Sequence, residues 1–161
     1  MVTGFFWPMP AYSRIVLASH GTPGGQAAER VALSLCARGA ILSQLVVVPD
    51  FWKGMMGDDW LNNASTREAY GKHVERQLEA EIAAQVQRVR AQAGQLGLRY
   101  QCRTVLGRPA ECLLAYSREV TPELVVIGAP RPRGVGGQRS RMHLDTLVTA
   151  LEAPLLIVPH P

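Results

Sequence analysis

Apolar residues arrive along this chain in short unbroken runs, separated by longer stretches in which they recur at helical spacing. Arg14-Ile15-Val16-Leu17-Ala18-Ser19 holds the first run, and Leu42 to Val48 the second, centred on Leu45-Val46-Val47-Val48. Leu124-Val125-Val126-Ile127 and Pro154 to Pro159 hold two more. Continuous runs of this kind, rich in β-branched residues and stopped by Gly or Pro, predict strands buried on both faces. The stretch from Leu98 to Leu106 differs. It sets Leu98, Tyr100, Cys102 and Thr104 against Arg99, Gln101 and Arg103, which predicts a strand with one wet side at the edge of a sheet.

Helical spacing fills the intervals. Ala28, Val31, Ala32, Leu35 and Cys36 share one face of a helix that opens at Thr22-Pro23 and closes at Gly39. Ser65 and Glu68 have the spacing of a capping box, ahead of a long stripe through Val74, Leu78, Ile82, Val86, Val89, Ala93 and Leu96. Cys112, Leu113 and Tyr116 mark a third helix behind Gly107-Arg108-Pro109. Leu144, Leu147, Val148 and Leu151 mark a fourth. Five strands alternating strictly with four helices predict an α/β fold: a single open parallel five-stranded sheet with helices on both faces. Residues 14–161 form the one expected domain, preceded by an apolar arm over residues 1–13.

Two stretches fit no period. The arm carries Phe5, Phe6 and Trp7, and residues 50–64 carry Trp52, Met55, Met56 and Trp60 beside two glycines. Both are too apolar for solvated linkers. The arm is expected to pack on its own domain or to dock a partner. Residues 50–64 are expected to form a flap over the sheet edge or a partner-docking patch, since aromatic and Met side chains are typical contact residues. Asp58 and Asp59 lack the spacing of a calcium loop.

Composition narrows the classes. The 161 residues carry a net charge of +4, with the arginines dispersed, so there is neither a basic run nor an aromatic ladder to support nucleic-acid binding. Cys36, Cys102 and Cys112 form no CxxC, and His20, His73, His143 and His160 show no ligand spacing, so neither disulfide nor metal is expected. No apolar run reaches the length of a membrane span and no secretory signal pattern opens the chain, so a cytoplasmic protein is expected. No nucleophile with a base, no paired carboxylates at a strand end and no Walker loop appear, so no catalytic activity is expected.

The candidate chemistry lies behind the fourth strand. Arg131 to Arg141 holds four arginines and three glycines in eleven residues. The run sits between a strand and a helix, at the carboxyl edge where open α/β sheets bind ligands. Gly128, Gly134 and Gly137 allow close backbone approach, Ser140 lies ahead of the helix, and Arg131, Arg133 and Arg139 are charge-assisted donors to an anion. The same edge would receive Ser19, His20, Gly21 and Thr22 from the first turn and Val47 from the second strand.

Three stretches resemble the universal stress protein family: Arg14 to Thr22, Gly107-Arg108-Pro109-Ala110-Glu111-Cys112-Leu113-Leu114-Ala115, and the block from Leu124-Val125-Val126-Ile127-Gly128 to Pro154-Leu155-Leu156-Ile157-Val158. The resemblance covers nearly all of residues 14–159 and implies that family's adenine nucleotide alpha-hydrolase-like fold. It also implies a homodimer through the last strand, residues 154–159, and ATP or AMP as the candidate ligand. Members that bind ATP carry a pattern similar to G-x2-G-x9-G-(S/T), in which the glycines admit phosphate to backbone N–H groups. Here Gly128 matches the first glycine, Arg131 stands at the second, and Arg141-Met142 replaces the final pair. His20 stands where the family has an acidic residue. The expectation is a non-enzymatic stress-related regulatory or interaction protein that does not bind ATP in the usual way. The alternative is a sensor of an adenine nucleotide or another phosphorylated metabolite, using residues 128–141.

Overall fold

The computed structural model describes residues 11–19, 23–49, 64–129 and 142–161. Nine elements follow in order: β1 (Tyr12–Ala18), α1 (Pro23–Leu35), β2 (Cys36–Pro49), α2 (Ala64–Gln95), β3 (Arg99–Gly107), α3 (Pro109–Val120), β4 (Leu124–Gly128), α4 (Leu144–Ala150) and β5 (Leu155–Val158). The strands form one five-stranded sheet in the order β3-β2-β1-β4-β5. Every pairing is parallel, with Ala18 opposite both Leu45 and Ile127. The expected α/β architecture is therefore observed, with β3 and β5 at the two edges.

Alternation along the strands divides the interior into two layers. Ile15, Leu17, Leu42, Leu124 and Val126 face α1 and α2, meeting Ala28, Ala32, Val89 and Ala93. Val16, Ala18, Leu45, Val47, Val125 and Ile127 face α3 and α4, meeting Ala110, Leu113, Leu114, Tyr116 and Leu147. Small residues on α1 let its axis lie close to the sheet. β1 and β4, at the centre, carry continuous apolar runs, and both faces of each are covered.

Some local expectations change. The first helix ends at Leu35, and Cys36 already belongs to β2. Gly39 is no helix cap: with φ of 77° it lies in β2, where the register jumps from Tyr12↔Cys36 to Arg14↔Ile41. The extra residues on β2 are absorbed by a backbone conformation that glycine adopts without a Cβ clash. On α2 the stripe is only partly buried. Val89 and Ala93 are fully covered, Leu96 is exposed, and the buried position one turn before Val89 is Gln85. On α4, Leu147 is buried and Val148 exposed, so the apolar face is narrower than its spacing implied. The side chains of Ser65, Glu68, Val74 and Leu78 lie outside the described residues.

At the amino edge of the sheet, Glu123 closes the start of β1. Its carboxylate accepts the backbone N–H groups of Ser13 at 2.9 Å and Arg14 at 3.1 Å. Its own N–H donates to the Arg14 carbonyl at 2.9 Å. The β1–β4 pairing is thereby tied at its start by Glu123.

Candidate functional site

The carboxyl edge gathers the ends of β1, β2 and β4. Three of the residues singled out from the sequence fall there in the described structure: Ser19, Val47 and Gly128. They do different things. Val47 is buried in the layer beneath α3 and α4, so its side chain is core. Gly128 is pressed against the first turn of α1. A Cβ built on it would lie 2.5 Å from the Gly24 carbonyl oxygen and 3.2 Å from the Gly25 nitrogen. No side chain fits between two backbones at that separation, so this glycine is required by strand–helix packing.

Ser19 is 1% exposed and stands at the centre of a buried polar network on the α1–α2 side. Its hydroxyl accepts from the side-chain amides of Gln44 at 2.8 Å and Gln85 at 2.7 Å, and donates to Glu29 Oε1 at 3.2 Å. One donor and two acceptor sites are all that a serine hydroxyl has, so it is saturated. Gln85 also donates to Glu29 Oε1 at 2.9 Å, and Arg88 pairs with Glu29 Oε2 at 2.8 Å. The Tyr100 hydroxyl donates to Gln44 Oε1. Five elements, β1, α1, β2, α2 and β3, meet in this one cluster. A buried carboxylate is tolerated because a guanidinium and two further donors reach it.

The surroundings raise nearby pKa values. Burial is the main cause for Tyr100, whose phenol is pushed well above its ordinary range. Burial likewise raises the Cys102 thiol and lifts Cys36 to about 11. None of the three is set up as a nucleophile at neutral pH, because each is held in its neutral form. Among the described residues there is no cluster of His, Cys, Asp and Glu able to hold a metal ion. No helix among them is long and apolar enough to cross a membrane.

The remaining candidates lie outside the described residues: His20, Gly21 and Thr22, and Arg131, Arg133, Gly134, Gly137, Arg139 and Ser140 of the arginine- and glycine-rich run. So do Phe5, Phe6, Trp7, Trp52, Met55, Met56 and Trp60. The network itself escaped the sequence reading, although signals existed. Gln44 interrupts an otherwise apolar strand, Gln85 falls on the buried face of α2, and Glu29 sits between small residues on the buried side of α1. A polar residue at a core position is the informative exception.

Comparison with known proteins gives a consistent picture. The model of the universal stress protein family matches residues 11–159. No match was found among curated proteins. Several solved structures share the fold. A universal stress protein family member from Burkholderia pseudomallei is 23% identical, with a TM-score of 0.56, covering 96% of this chain and 99% of that one. A universal stress protein in complex with cAMP is 19% identical, with a TM-score of 0.57, over 94% and 99%. A family protein from Arabidopsis thaliana with AMP bound is 12% identical, with a TM-score of 0.61, over 92% of each chain.

Proposed function

Taking as premise that the chain belongs to the universal stress protein family, we propose that it is a non-catalytic, stress-related regulatory protein that does not hold ATP by that family's usual contacts. The observation that carries this reading is the saturated Ser19 hydroxyl. At the end of β1, where the resemblance calls for a free acidic group, the neighbouring polar atoms are bonded to one another, and the only buried carboxylate among the described residues, Glu29, is engaged by Arg88 and Gln85. The sequence supports the same reading, with His20, Arg131 and Met142 standing at three of the pattern's positions. Regulation would then run through protein contacts. Self-association through β5 is part of the proposal. This strand is an edge, Ile157 is 37% exposed, and an open edge with apolar side chains favours pairing with a second copy.

Calorimetric titration with ATP, AMP and cAMP, with native mass spectrometry for co-purified nucleotide, tests the first part. Absence of heat and of added mass is expected. Binding in the low micromolar range would overturn it. Sedimentation of wild type and Ile157→Arg tests the second part: a dimer that the substitution converts to monomer is expected, and an unchanged monomer refutes it.

A second reading has one specific support. Four arginines and three glycines between Arg131 and Arg141 are suited to gripping phosphate through side chains where a glycine nest would use backbone. Relatives of the same fold hold AMP or cAMP. On this reading the chain senses an adenine nucleotide or another phosphorylated metabolite. Nucleotide binding abolished by Arg131→Ala with Arg139→Ala would establish it.

A further inference from the structure

The helices of the α1–α2 layer are attached to the sheet very differently. α1 is 13 residues long and buries Ala27, Ala28, Ala32 and Leu33, packing on β1, β4 and β5. α2 is 32 residues long and packs chiefly on α1 and β3. Its described side chains from Arg76 to Ala84 are exposed, except the half-buried Ile82. From Gln85 to Gln95, only Gln85, Val89 and Ala93 are buried. Two modest apolar side chains are a small anchor for a helix of that length.

The rest of the attachment is a polar clasp from a single helical turn. Gln85 donates to Ser19 at 2.7 Å and to Glu29 Oε1 at 2.9 Å, and Arg88 donates to Glu29 Oε2 at 2.8 Å. The acceptors keep partners without α2, since Ser19 still donates to Glu29 and still accepts from Gln44. When α2 lifts, water replaces the three bonds and rehydrates the carboxylate, so no polar group is stranded. A second, independent feature lies one residue past Ala93. A Cβ built on Gly94 would meet nothing within 4 Å, so no close approach calls for glycine there. Its effect is to weaken the helix interior between the clasp and β3.

We propose that α2 is a strap that opens as a unit. It swings about Gly94, releases the Gln85–Arg88 clasp and bares Glu29, Gln44 and Tyr100, while the sheet, α1, α3 and α4 stay folded. Arg90, over the Tyr100 ring at 5.6 Å, leaves with it. Once lifted, α2 loses the packing from which helices draw most of their stability, and its amides exchange. The opening requires neither a nucleotide nor a second copy of the chain, so failure of either experiment above leaves it untouched.

The test is native-state hydrogen exchange of the full chain, read by NMR in rising sub-denaturing urea. Amides from Gln85 to Ala93 should exchange faster than those of Ile15 to Leu17 and Val125 to Ile127, with a shallower urea dependence, because the opening exposes little surface. Arg88→Met, which keeps the aliphatic stem and the helix propensity, should speed α2 exchange about five- to tenfold. Gly94→Ala, free of any clash, should slow it about two- to fivefold. Leu114→Val weakens the other face, which stays intact in the open form. It should speed exchange of β1 and β4 and leave α2 unchanged within about twofold. Exchange of α2 in step with β1 and β4, in urea or in Leu114→Val, would overturn the proposal by showing that α2 opens only on global unfolding. Unchanged α2 exchange in Arg88→Met or Gly94→Ala would overturn the clasp or the hinge.

Discussion

The two faces of the sheet solve the same packing problem by different means. Beneath α3 and α4 the interior is almost wholly apolar, with Leu113, Leu147 and Tyr116 filling the space above Val16, Leu45 and Val125. The polar contacts there are confined to the buried Ser43, whose hydroxyl accepts from Gln101 at 2.6 Å and hydrogen-bonds Tyr116. Beneath α1 and α2 an apolar layer of small residues gives way, toward the carboxyl edge, to the Ser19–Glu29–Gln44–Gln85 cluster. Hydrophobic contact is tolerant of small slips along a helix, whereas a saturated hydrogen-bond network is not. Among its described side chains, α2 contributes only Val89 and Ala93 to the fully covered apolar core. Its register on the sheet is therefore set by polar contacts, and that of α3 by shape.

Substitutions can break or sharpen this contrast. The largest loss is expected on the apolar face: Leu113→Ala should cost about 3–5 kcal/mol in chemical denaturation, because the tightly packed site cannot collapse around the void. Gly128→Ala should cost about 1–3 kcal/mol, since its methyl meets backbone on α1 rather than a flexible side chain. On the polar face, Glu29→Ala should cost about 1–3 kcal/mol by stranding Gln85 and Ser19; the half-exposed Arg88 can turn to water, which lowers the figure. The sharper experiment replaces the cluster at once, with Ser19→Ala, Glu29→Leu, Gln44→Leu, Gln85→Leu and Tyr100→Phe. With no polar atom left stranded, this variant should lose less stability than Glu29→Ala alone, while amide exchange along α2 becomes faster. Equal protection of α2 in both would show that the cluster does not fix its register.

Smaller effects concern ionisation. Cys36 packs against the α1–α2 layer, and burial raises its thiol to about 11 from an ordinary value of 9.0. The folded state thus keeps its proton where the unfolded chain has lost it. That contribution is complete below about pH 9 and disappears as pH rises through about 11. Unfolding midpoints should fall across this window in wild type and fall less in Cys36→Ala. The smallest effect is expected for Arg103→Ala. The Arg103–Glu119 pair lies on the surface, with Arg103 over the Tyr116 ring at 4.9 Å, and solvent screening should leave the denaturation midpoint within error.

Much of the fold was legible because parallel strands covered on both faces must be continuous apolar runs, and Leu124 to Ile127 is such a run. β3 was legible as an edge because Arg99, Gln101 and Arg103 alternate with less polar neighbours. Boundaries were less so. Gly39 carries the same backbone demand in a strand bulge as in a helix cap, and sequence does not separate the two. The exposure of Leu96 and Val148 was hidden because spacing states which residues share a face and not how much of that face is covered. At the candidate site, Gly128 has a requirement that the sequence did not show: it packs against Gly24 on α1, a contact between residues more than a hundred positions apart. The Ser19 cluster joins residues from five elements, and only the fold brings them together.

The strand order has a consequence for how the chain is made. β1 lies between β2 and β4, and its partner on one side, Leu124 to Ile127, is synthesised more than a hundred residues after Ile15. At ribosomal rates of roughly 5–20 residues per second, the nascent chain spends several seconds with one edge of β1 unpaired. During that interval the β1–β2–β3 sheet can form, but its inner edge stays bare until β4 emerges. Full cooperativity therefore arrives late, and a ribosome stalled between Gly107 and Leu124 carries an adhesive partial sheet.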